Sequence, residues 1–134
     1  MEERQVGSFH FQLDLSQPIY EQILQQIRSL IAKGKVSPGE KIPSVREMAK
    51  ALRVNPNTVM RAYQELERDG LTEKHRGQGT FITTSRERID QFRTELMQQY
   101  IDDFLTQMES LGLTWAELES AIYEQYNKRK GGGT

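Results

Sequence analysis

A chain of 134 residues, 36% hydrophobic and 28% charged, has room for one compact domain or for a small domain with an appendage. It has no cysteine, which removes disulfides, thiolate metal sites and cysteine nucleophiles together and fits a reducing cytoplasm. The formal charge of −1 is unevenly spread: residues 35–76 carry nine Lys/Arg against six Asp/Glu, and residues 85–130 carry six against nine. Fields decay within about 8–10 Å at physiological salt, so a basic middle is compatible with nucleic acid in a near-neutral chain.

No apolar run approaches the roughly 20 residues of a membrane span, and the opening MEERQVGSFHFQ lacks the apolar stretch of a signal peptide. A cytoplasmic location without membrane contact is expected. Phe9, Phe11, Leu13 and Leu15 alternate with polar residues, which predicts a short extended arm docked on the body. A helix follows from Pro18, with Ile19, Ile23, Ile27, Leu30 and Ile31 at helical spacing and Gly34 as its stop. Residues 35–43, with two prolines and a glycine, read as a turn with a short strand.

Ser44 and Glu47 form a capping box, and Val45, Met48, Ala49 and Leu52 give a short second helix its apolar face. After the tight connection 53–55, Asn55 is a good N-cap and Pro56 a good first residue for a third helix. Val59, Ala62, Tyr63 and Leu66 face inward there, and Gly70 ends the helix. Residues 71–74 and 80–84 flank a glycine-containing turn and predict a β-hairpin. This order is a helix-turn-helix followed by a wing. Ser85 then caps a long helix with the stripe Ile89, Phe92, Leu96, Tyr100, Phe104, Met108 and Leu111, widened by Met97, Ile101 and Leu105 and closed by Gly112. Thr114 and Glu117 form a second capping box, and Trp115, Leu118, Ile122 and Tyr126 share one face of a last helix. The end, KRKGGGT, reads as frayed.

Residues 42–82, IPSVREMAKALRVNPNTVMRAYQELERDGLTEKHRGQGTFI, resemble the GntR family of bacterial regulators. The likeness lies in PSVRE at the second helix, VNPNTVMRAYQELE as recognition helix, the DGL exit and the RGQGTF wing. With QPIYEQILQQI it covers residues 8–83. Most such proteins continue into a large effector-binding or aminotransferase-like domain. Here only a short two-helix segment follows, which resembles the YtrA subfamily, whose helical tail serves in dimerisation. The implied fold class is mainly α with a small β-hairpin: a winged helix-turn-helix domain over 1–84, a helical dimerisation segment over 85–130 and a disordered tail over 131–134. The resemblance also implies a homodimer on a palindromic double-stranded DNA operator, repression, and a transporter operon as a lead. It implies no metal or cofactor, and leaves the existence of a small-molecule effector open.

The third helix carries the chemistry such a reader needs, because Asn57, Arg61, Gln64 and Arg68 lie on its outer face. Asn and Gln pair bidentately with adenine and Arg with guanine, and the N-terminal part of the helix reads, which favours Asn57, Thr58 and Arg61 over Arg68. The alternative for each is a solvated surface residue, and for Asn55 a cap alone. Arg46, in the first turn of the second helix, opposes the helix dipole, a cost that a nearby phosphate offsets. The family places a DNA-contacting arginine at the matching position; the alternative is a surface ion pair. Gly77 and Gly79 permit positive φ and close approach, so Arg76 and Gln78 can reach a minor groove or phosphate. Ser44, Thr58 and Thr80 are phosphate donors; the alternative for the wing is an ordinary turn. Many family members have arginines where Pro56 and Met60 stand, so base preferences do not transfer and Arg61 takes part of the missing charge.

The tail stripe needs cover, and helices of a second subunit supply it through Phe92, Leu96, Tyr100, Phe104, Met108, Leu111, Trp115, Leu118 and Ile122. The alternative is packing within the chain itself. Catalysis is not expected: His10 and His75 are the only histidines, there is no GxxxxGK[ST] or HExxH, and Asp102 and Asp103 are adjacent on a helix and point apart. A winged helix used only for protein contact is the other rival, against which the polar outer face and the arginine-flanked wing argue.

Overall fold

The computed structural model describes residues 1–133. It opens with an antiparallel hairpin of β1 (Glu2–Val6) and β2 (Phe9–Leu13), turned at Gly7 with φ +58°. Phe9, Phe11 and Leu13 are buried as their alternation requires, whereas Leu15 lies beyond the strand and is exposed. The expected single arm is therefore a hairpin. Its first strand, EERQV, is too polar to announce itself by alternation.

The free edge of β2 is closed by side chains. Gln26 accepts from the Gln12 N–H (2.8 Å) and donates to the Gln12 carbonyl (2.6 Å). Gln22 does the same at Asp14, at 2.8 and 2.9 Å. Four residues apart on α1 (Ile19–Ala32), the two amides stand in for a third strand and satisfy backbone groups that would otherwise lack partners. The opposite face of α1 buries Ile23, Leu24, Ile27 and Ile31. Pro18 sits at the N-cap, one residue before the helix proper.

The capping box of α2 (Val45–Leu52) forms: Ser44 Oγ accepts from the Glu47 N–H and the Glu47 carboxylate accepts from the Ser44 N–H, both at 3.1 Å. The helix ends at Arg53, the only non-glycine residue at positive φ (58°) among those described. The chain then enters α3 (Pro56–Arg68) through Asn55, whose Oδ1 accepts from the Asn57 N–H at 2.8 Å. Met48, Leu52, Val59, Ala62 and Leu66 are fully buried. The Tyr63 hydroxyl donates to the Pro43 carbonyl (2.7 Å), which ties α3 to the residues entering α2. Burial, then the nearby Glu47 carboxylate, push the Tyr63 phenol well above its ordinary pKa. The C-terminus of α3 is held at Asp69, whose carboxylate pairs with Arg28 of α1 and whose carbonyl accepts from Arg88 Nε at 2.8 Å.

β3 (Thr72–His75) and β4 (Gly79–Ile82) form the wing, with His75 opposite Gly79 across a three-residue loop. The segment before α2 supplies a third strand: the Ile42 N–H donates to the Thr80 carbonyl (2.9 Å) and the Ile82 N–H to the Glu40 carbonyl (2.8 Å). α4 (Arg86–Ser110) is capped by Ser85, which accepts from the Arg88 N–H at 3.1 Å. The second capping box, Thr114–Glu117, opens α5 (Trp115–Gly133). α5 is helical through Gly133, and the last residue of the tail expected over 131–134 lies outside the described residues.

The chain forms two compact units, Met1–Arg93 and the remainder from Thr94. The boundary lies at Arg93, beyond the expected residue 84, because the first turns of α4 belong to the first unit: Phe92 is buried and Arg88 holds the end of α3. No helix among the described residues is long and apolar enough to cross a membrane.

Candidate nucleic-acid interface

The outer face of α3 exposes Asn57, Met60, Arg61 and Gln64, with Thr58 half-buried. The side chains of Asn57 and Gln64 form no hydrogen bond or ion pair among the described residues, so both amides are uncommitted. Arg68 is already committed, pairing with Glu65 at 2.8 Å. Asn55 spends its carbonyl oxygen on the cap and keeps its amide NH2. Arg46 is exposed in the first turn of α2, and no acid pairs with it among the described residues. Ser44 Oγ works as an acceptor in the capping box, and the residue is exposed. The Ser44 N–H, then its hydroxyl, hold the Glu47 carboxyl below the usual carboxylate range, so the cap stays anionic beside Arg46.

Arg61 is positioned rather than loose. Its guanidinium lies 4.1 Å from the centre of the Tyr20 ring on α1, a cation–π contact between the reading helix and the first helix of its own domain. Met60 was not among the expected contacts, yet it is 43% exposed, three residues after Asn57 and four before Gln64. That helical spacing is the signal in the sequence that puts Met60 on the same outer face. An exposed thioether on a reading helix can meet a thymine methyl.

At the wing tip Arg76, Gly77, Gln78 and Gly79 are exposed and Thr80 is half-buried. Gly77 has φ +78° and Gly79 φ +119°, values that L side chains rarely adopt, and the Gln78 N–H donates to the His75 carbonyl at 2.9 Å. A Cβ at Gly79 would stand 2.9 Å from Lys41 Cε. Lys41, in the segment between α1 and α2, thus lies against the wing and adds a cation to it. The ring of His75 packs edge-on against Phe81, with centroids 4.9 Å apart, and stiffens the hairpin.

The interface therefore comprises the first turn of α2, the outer stripe of α3 and a glycine-built tip flanked by cations. A helix that buries one face and presents uncommitted amides and a guanidinium on the other has the form of a major-groove reader. A family model described as bacterial regulatory proteins, gntR family, matches residues 19–82. The HTH-type transcriptional regulator YhcF of Bacillus subtilis is 45% identical over 111 residues, covering 83% of this chain and 92% of that protein. The chain belongs to the GntR family. The HTH-type transcriptional repressor YtrA of Bacillus subtilis is 39% identical over 118 residues, 87% of this chain and 91% of that one, which supports a YtrA-like subfamily. Among solved structures, a GntR family transcriptional regulator from Listeria monocytogenes superposes with a TM-score of 0.76 at 36% identity, covering 84% of this chain and 98% of that one. The chain is thus a DNA-binding transcription regulator with a winged helix-turn-helix, and its relatives are regulators rather than enzymes.

In the tail unit, Leu118 is buried within the chain and Leu96 and Met108 are half-buried. Tyr100, Phe104, Leu111, Trp115 and Ile122, together with Tyr123 and Tyr126, are between 39% and 68% exposed. Phe92 is buried in the first unit.

Proposed function

We propose that this regulator is a cytoplasmic repressor that binds a palindromic operator as a homodimer. The observation that carries the reading is the outward stripe of α3, in which the Asn57 and Gln64 amides are uncommitted and Arg61 is held by Tyr20, together with the exposed Arg46 and a wing tip bearing Arg76 and Gln78. In this reading Asn57, Arg61 and Gln64 meet base edges, and Met60 adds apolar contact. Ser44, Arg46, Asn55, Thr58 and Thr80 hold phosphates, and the 76–79 tip enters the adjacent minor groove or lies on its phosphates. The repressor name of the 39% identical relative supports the direction of control. The exposed aromatic and aliphatic side chains of α4 and α5 support the dimer: each large side chain so covered is worth roughly 1.5–3 kcal/mol, and a two-fold partner offers the same stripe in return. Operators beside transporter genes are the first place to look.

The test is fluorescence anisotropy with duplexes from the region upstream of the chain's own gene and from a random-library selection, at low and moderate salt. The expected result is saturable, sequence-selective binding that weakens steeply with salt. Asn57→Ala and Arg61→Ala should each lower affinity by about 5- to 150-fold, the span of 1–3 kcal/mol per base contact. If folded dimer selects no sequence from the library, the chain is a protein-binding winged helix instead.

A further inference from the structure

The first unit holds a cleft of about 300 Å³ between the end of α1, the turn that follows it and the first two turns of α4. Its apolar wall includes Ile31, which is buried, and Ile89, which is half-buried. Around it stand Lys33, Arg86 and Arg93, with Asp90 the only acid. All four charged side chains are exposed, and none forms a hydrogen bond or ion pair among the described residues. Arg86 and Arg93 lie four residues before and three after Asp90, the spacings at which helical ion pairs form, yet neither pairs with it.

Three uncommitted cations against one acid, next to an apolar wall in a cleft of ligand size, have the composition of a small-molecule site. None of its lining residues belongs to the DNA interface described above. Residues 86–93 follow the base of the hairpin, where Thr84 lies against Gly39, and a four-residue strand carries the tip roughly 13 Å away. We propose that this cleft binds a small amphipathic anion: a compact apolar ring or short chain bearing a phosphate or carboxylate. Arg86, Arg93 and Lys33 take the anion, and the apolar body lies on Ile31 and Ile89. Such a ligand would grip the first turns of α4, the helix that continues into the tail, at a place where an effector can act.

The site is tested without DNA, so its failure is separate from any failure of the operator reading. The probe is 1-naphthyl phosphate titrated into the full chain, followed by amide chemical shifts. Inorganic phosphate and 1-naphthol serve as controls carrying the charge or the ring alone. Saturable shifts confined to residues 31–38 and 86–93 are expected, with both controls at least about tenfold weaker, since each omits one class of contact. Arg86→Gln with Arg93→Gln should weaken binding at least about tenfold. Asp90→Asn should tighten it, a gain that a misfolded variant cannot produce. The proposal is overturned by the absence of saturable shifts or by shifts centred on α3 and the wing. Shifts spread along the tail stripe, or an affinity unchanged in the double variant, overturn it equally.

Discussion

Arg61 illustrates how one contact changes the meaning of a side chain. A free arginine on a reading helix must lose rotamer freedom when it meets a base, whereas the ring of Tyr20 already holds the guanidinium in place. Tyr20→Leu should keep the fold by circular dichroism and weaken operator binding two- to fivefold, the equivalent of about 0.5–1 kcal/mol for an exposed cation–π pair. Unchanged affinity in anisotropy would mean that the ring does not position Arg61. Glu47 makes a second single-residue prediction. Its folded pKa is lowered from 4.5 by the Ser44 N–H and then by the Ser44 hydroxyl. A depressed carboxylate contributes stability that is present above pH 4.5 and is lost as pH falls through the folded value. Thermal melts between pH 3 and 6 should show this loss, and Glu47→Gln should flatten it.

At the scale of elements, the wing depends on backbone that only glycine adopts at low cost. At φ +119°, Gly79→Ala should destabilise the chain by about 1–3 kcal/mol in urea unfolding. Lys41 Cε, 2.9 Å from the new Cβ, is the end of a flexible side chain and can move, so the strain lies in the backbone. Gly77→Ala should cost less, because its φ of +78° is nearer the left-handed region and no atom lies within 4 Å of the new Cβ. Equal costs at the two positions would refute this account. The helix-turn-helix has its own fastening in the Tyr63 hydroxyl on the Pro43 carbonyl. Tyr63→Phe removes that donor from a largely buried pair and should cost roughly 1 kcal/mol.

At the scale of the whole molecule, the tail carries exposed apolar surface that a second copy of the chain covers under the proposed function. Phe104→Glu, at a position 39% exposed, should shift the particle from dimer to monomer in light scattering. It should also reduce operator affinity steeply, because each half-site would then be bound alone. Leu118→Glu, at a buried position, should instead unfold the tail, so the pair separates assembly from folding. A dimer that persists in Phe104→Glu would place the interface elsewhere.

Much of this was legible in the residues themselves. Capping boxes, helix-stopping glycines and apolar periods are local signals, read within a few residues, and they placed all five helices and the wing in order. The first strand of the N-terminal hairpin, EERQV, was not legible because it is too polar to show alternation, and the pairing of the short strand before α2 with β4, like the place of Lys41 beside Gly79, depends on segments distant in sequence. The same holds at the interface. Sequence spacing put Asn57, Arg61 and Gln64 on one face of a helix, since 3.6 residues per turn is a local property. Only tertiary packing decided that Tyr20 meets Arg61, that Arg46 lacks an acid partner and that three cations surround a cleft at the start of α4. The amino-acid order determines which helices form and where they end. Which side chains are left uncommitted is settled only when those helices meet.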